Sequence, residues 1–159
     1  MAWIFSLWVQ CRTHEEARAV AAHFQPLRWT LRDGTQSECE VSCMADHCCV
    51  VPSNVSRSGV RNAADAAQLT EVGMRLHEHL RSAPPFSVAL VGVEVDDPRT
   101  EPELVQIVRD PHPAYRGLVI STDIWERAGR PSRFEPFKSG YVWWPYLGEQ
   151  VAQDANSAP

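Results

Sequence analysis

The chain has 159 residues, 44% of them hydrophobic and 22% charged, with a net charge of −5 and a single lysine, Lys138. Those totals exclude a disordered polymer and predict one domain able to bury a core without staples. They also argue against nucleic acid as a partner, because each phosphate contact needs Lys or Arg and the balance here is acidic.

Trp3 to Gln10 opens the series of elements. Its β-branched and aromatic residues alternate, with Trp3, Phe5, Leu7 and Val9 on one face and Ile4 and Trp8 on the other, as in a strand buried on both sides. The apolar stretch Ala2 to Cys11 is far shorter than the roughly 20 residues that span a bilayer, and it lacks a basic lead and a small-residue cleavage site, so no export signal or membrane association is expected. Five cysteines, an odd number, fit a reducing compartment and free thiols, hence a cytoplasmic protein.

Thr13-His14-Glu15-Glu16 reads as a helix N-terminus, a threonine cap with a glutamate three positions on. The apolar stripe Ala17, Val20, Ala21 and Phe24 follows, and Pro26 ends the helix. Leu27 to Leu31 and Thr35 to Met44 form a hairpin. A three-residue loop, Arg32-Asp33-Gly34, sets Leu27 opposite Cys39 and Arg28 opposite Glu38, which keeps each face chemically uniform. Cys48 to Val51 either continues that strand or starts another. Pro52 to Arg61 is a loop.

Asn62 caps a second helix running to about Arg81, with Leu69, Val72, Leu76 and Leu80 on its stripe and Pro84-Pro85 beyond it. Phe86 to Val95 is a further strand, apolar on both faces. The order strand, helix, strand, strand, helix, strand predicts an α+β, ferredoxin-like split βαβ antiparallel sheet over residues 1–96, with two helices on one face. Both faces of its central strands are apolar, so residues 97–150 are expected to form an α/β extension that covers the other face, and 151–159 to fray.

That extension begins in an acidic, proline-broken loop from Asp96 to Pro102. It continues through the apolar segments Leu104 to Val108 and Gly117 to Ile120, and a short helix from Thr122 to Ala128 capped by Ser121 and ended by Gly129. Leaving large apolar area in water costs about 25 cal/mol per Å², so the aromatic tail should fold back onto the sheet. Phe134 and Trp144 are expected in the core. Strand alternation from Tyr141 to Trp144 leaves Phe137, Tyr141, Trp143 and Tyr146 as candidates for exposure.

Several side chains suggest chemistry. Cys39, Cys43, His47, Cys48 and Cys49 have the donor types of a zinc site, but C-x₃-C in a strand pattern is not a zinc knuckle, and buried thiols are the better reading. His77 and His79 stand two apart on a helix, point in different directions and are expected in solvent. His14-x-Glu16 matches a fragment of a zinc deaminase without its P-C-x-x-C partner, and capping accounts for it. Nucleophile elbow, Walker loop and dinucleotide fingerprint do not occur, and no catalytic residue, metal or cofactor is assigned.

The expectation is a non-catalytic protein-binding module of the type of the immunity proteins that neutralise basic bacterial toxins. Its partner-binding residues would be the acidic Glu94, Asp96, Asp97, Glu101 and Glu103 together with the rings of Phe137, Tyr141, Trp143 and Tyr146, facing a basic protein. Two alternatives stand beside it. One is a small-molecule or metal-dependent enzyme with a pocket lined by Trp8, His47, Tyr141 and Trp143. The other is a homodimer that consumes the aromatic face.

Overall fold

The structure, a computed structural model, describes residues 3–95, 98–110 and 112–151. The elements in order are β1 (Phe5–Gln10), α1 (His14–Phe24), β2 (Arg28–Thr30), β3 (Gln36–Met44), β4 (His47–Pro52), α2 (Ala63–Leu80), β5 (Val88–Val93), α3 (Glu101–Arg109), β6 (Val119–Ser121), α4 (Thr122–Arg127), β7 (Glu135–Lys138) and β8 (Tyr141–Trp143). A 3₁₀ turn, Pro113–Tyr115, precedes β6. Among these residues no helix is long and apolar enough to cross a membrane.

Each helix starts where a polar side chain accepts an amide that has no partner inside the helix. Thr13, Asn62, Thr100 and Ser121 play this part for α1 to α4. At α1 the reciprocal bond is displaced: the Glu16 carboxylate accepts from the Arg12 amide. The full capping box belongs to α3, where Thr100 and Glu103 each accept the other's backbone N–H.

All eight strands lie in one antiparallel sheet of order β2-β3-β4-β1-β5-β6-β8-β7. The β2–β3 register sets Arg28 opposite Glu38, as the uniform-face argument requires. A simple ferredoxin-like sheet has four strands and would set β3 directly beside β1; here β4 lies between them. The separate strand β4 exists because the chain reverses at Ala45-Asp46. Ala45 adopts φ 51 there, a conformation that glycine usually signals.

Alternation along β1 divides the interior in two. Phe5, Leu7 and Val9 face α1 and α2, where they meet Val20, Phe24, Leu69, Val72 and Leu76 in one buried cluster. Trp8 faces the opposite way with Val88 and Leu90 of β5. Leu104 and Val108 of α3, Ile124 of α4, Phe134 and Val142 close that second cluster. β5 is shared in the same manner, Ala89 and Val91 going to the first core and Val88 and Leu90 to the second. The second roof stops near β1. Glu38, Glu40, Ser42 and Met44 of β3 remain exposed, Met44 by 71%.

Candidate functional site

The aromatic tail is mostly interior. Tyr141 and Trp143 pack against the first core half-buried, while Phe137 and Tyr146 are buried. The Tyr141 hydroxyl donates to the Phe86 carbonyl at 2.9 Å and accepts the Phe86 amide at 3.0 Å, which ties β8 to the start of β5. Arg81, just past α2, donates to the Phe137 carbonyl and lies over the rings of Phe137 and Trp143 at 4.2 and 5.2 Å. Tyr146 crosses the helix itself, its ring 4.7 Å from that of His77 and its hydroxyl donating to Glu149 at 2.8 Å. Glu149 in turn is held by its own amide, which donates to Thr70. Burial raises the pKa of both Tyr146 and Glu149, so this strap across α2 is built from groups that resist charging.

The acidic residues have internal partners. Glu94, at φ 56, accepts the Ile4 amide at 2.9 Å. Glu101 pairs with Arg127 of α4, and Glu103 closes the α3 cap. All three are exposed; Asp96 and Asp97 lie outside the described residues. The sequence suggested one surface made of acids and rings, and the fold separates them. β5, Val88–Val93, spans about 17 Å and separates Phe86, before its start, where Tyr141 is bound, from Glu94, just past its end. In addition α3 packs on the second core whereas Tyr141, Trp143 and Phe137 pack on the first.

The same division disposes of the pocket that was to join Trp8 and His47 to Tyr141 and Trp143. The rings of Trp8 and His47 lie 4.3 Å apart on one face of the sheet, and the two tail rings belong to the other. The cysteine and histidine set is split likewise. Cys39, Cys43 and Cys48 alternate with His47 and Cys49 along the hairpin, and among the described residues no group of three such side chains converges as a metal site would require.

His77 departs from expectation altogether. It is buried inside the fold, with Nδ1 at 2.8 Å from the Gly73 carbonyl and Nε2 at 2.9 Å from the Gly117 carbonyl. Burial lowers its pKa more than these two acceptors raise it. Only His79 of the pair is near the surface, its ring 5.8 Å from that of Trp29.

A concavity forms where α3 meets the sheet. Gln10, the polar end of β1, donates to the Arg99 carbonyl at 2.8 Å and accepts the Arg99 amide at 3.3 Å, so its side chain imitates a strand neighbour for the loop before α3. Arg99 then reaches Tyr115, donating to its hydroxyl at 2.9 Å. Outside lies an open groove of about 390 Å³ lined by Pro98, Arg99, Glu103, Gln106 and Ile107. An apolar crevice of about 20 Å³, which shares Arg99 and Ile107 with the groove, is lined by Trp8, Val88 and Leu104. That inner space holds about one water. The crevice is too small for a drug-sized molecule, whereas the outer groove is open and of a volume that ligand pockets also have.

Sequence reasoning missed Gln10, Arg99, Gln106 and Ile107. The Thr100-x-x-Glu103 signature was there to locate α3 and hence the groove, but the surrounding acids and prolines read as a turn. No protein-family model matches the chain, and no curated protein and no solved structure matches it either.

Proposed function

We propose that the chain is a non-catalytic protein-binding module that receives an anchoring side chain of a basic partner in the groove beside α3. The observation that carries this reading is the groove itself: an apolar wall at Ile107 and a carboxylate at Glu103 beside Arg99, whose guanidinium is engaged by Tyr115, with exposed Glu101 at the start of the same helix. Anchors of this kind supply most of the affinity in protein interfaces, while surrounding charge raises the association rate and fixes orientation. The rings of Phe137, Tyr141, Trp143 and Tyr146 act in this reading as fasteners of the fold.

The immunity-protein analogy is retained as one of type, since small acidic α+β proteins are used in that way. The five free cysteines favour a cytoplasmic setting. We further read β3, β4, β1 and β5 with α1 and α2 as a ferredoxin-like unit, extended by β2 at one edge and by β6, β8 and β7 at the other.

The test is affinity capture from the native cell, followed by binding of the purified partner. Gln106 is exposed on α3, and Gln106→Arg places bulk and positive charge in the groove. A basic protein that binds the unaltered chain, weakens with added salt and is lost with Gln106→Arg supports the proposal. A partner that binds Gln106→Arg equally well, or the recovery of no partner, overturns it.

A further inference from the structure

Cys43 and Cys48 stand directly opposite each other in the β3–β4 hairpin. The kind of pair they form follows from the ladder. The Ser53 amide donates to the Glu38 carbonyl at 2.8 Å, which makes residues 38 and 53 a hydrogen-bonded pair. Strict alternation then makes Ser42·Cys49 hydrogen-bonded and Cys43·Cys48 not. In a pair of that second type the Cα atoms are about 4.5 Å apart and the side chains closest, within the roughly 4.4–6.8 Å that a disulfide requires.

The two thiols are already in contact, and unequally. The Cys43 thiol donates to the Ala17 carbonyl of α1 at 3.4 Å. The interaction between the two thiols disfavours ionisation of Cys48 and favours that of Cys43. Burial raises both, but Cys43 is half-exposed and is also near Arg18, whereas Cys48 is fully buried. An attacking sulfur and a resolving sulfur are therefore distinguished by position.

We propose that Cys43 and Cys48 form a redox site, a cross-strand dithiol that a small disulfide of the glutathione class converts to an intramolecular disulfide. Cys43 loses its proton to solvent and attacks one sulfur of glutathione disulfide, forming a mixed disulfide and expelling one glutathione thiolate. Cys48 then loses its proton and attacks the Cys43 sulfur, forming the Cys43–Cys48 bond and expelling the second. The two thiolates take up the two protons, so two protein thiols are oxidised and one disulfide is reduced. The product locks the tip of the hairpin beside α1. Cys11 is close but outside the pair, Cys39 stands opposite Pro52, and Cys49 points to the other face.

The native chain is incubated with oxidised glutathione, alkylated and analysed by thiol counting and non-reducing peptide mapping. The five free thiols should fall to three, with Cys43 joined to Cys48 and reversal by a thiol reductant. Cys48→Ala should stop at a single glutathione adduct on Cys43, and Cys43→Ser should take up none at Cys48. Retention of all five thiols, or a bond from Cys48 to Cys49 or Cys11, overturns the proposal.

Discussion

Tyr146 occupies the space beside Gly73: a Cβ added at Gly73 would fall 2.3 Å from the Tyr146 hydroxyl and 2.7 Å from its Cζ. Two effects of Gly73→Ala therefore oppose each other. Helix propensity favours alanine in α2 by about 1 kcal/mol, whereas forced overpacking costs about 1–3 kcal/mol. A contact this short makes the second effect win, because Tyr146 is also wedged against Gly117 and bonded to Glu149. Urea unfolding should show Gly73→Ala destabilised by about 1–2 kcal/mol. A gain in stability would mean that the strap does not lie across α2.

His77 makes folding sensitive to acid. A neutral imidazole has one N–H, yet both ring nitrogens face carbonyls, and burial, the larger influence, holds the pKa below its ordinary value near 6.5. Below about pH 6.5 the unfolded chain thus binds a proton that native His77 does not, so the neutral form's contribution is complete above that pH and falls as acid is added. The slope has a limit of about 1.4 kcal/mol per pH unit for one group. Between pH 7 and 5, His77→Gln should lose less stability than the unaltered chain, although His79, lowered chiefly by burial, keeps part of the slope in both. Identical slopes would contradict the assignment.

Ala45 carries strain at the β3–β4 turn, since a Cβ at φ 51 crowds the backbone by about 1–2 kcal/mol. Ala45→Gly should raise stability in chemical denaturation by about 0.5–1 kcal/mol, the relief being partly offset by greater freedom of glycine in the unfolded chain. Loss of stability would show that the turn is made otherwise.

Thr100→Ala removes one half of the α3 capping box and should cost about 1 kcal/mol. The damage should be local: amide exchange should quicken in the first turn of α3 and stay unchanged in β1. Uniform acceleration across both elements would argue that the cap stabilises more than the wall of the groove.

Periodicity and capping made much of this fold legible. The two-faced pattern of β1 and β5 foretold a second core, and the conflict of faces at Trp29 and Glu38 fixed the β2–β3 register. β4 was concealed because an alanine makes its turn. α3 was concealed because its capping acids resemble a solvated loop, and the candidate groove was lost with it. His77 looked exposed because the backbone that covers it, at Gly117, lies forty residues further along the chain, information that no local window contains.

The most direct test of the architecture is the proximity of Trp8 to α3, because the second core and the groove both depend on it. Proton nuclear Overhauser measurements on the folded chain should connect the Trp8 indole to the methyl groups of Leu104 and Leu118, which share its buried cluster. An indole that shows no connection to either methyl group, in a chain whose β1–β5 pairing is intact, would contradict the account.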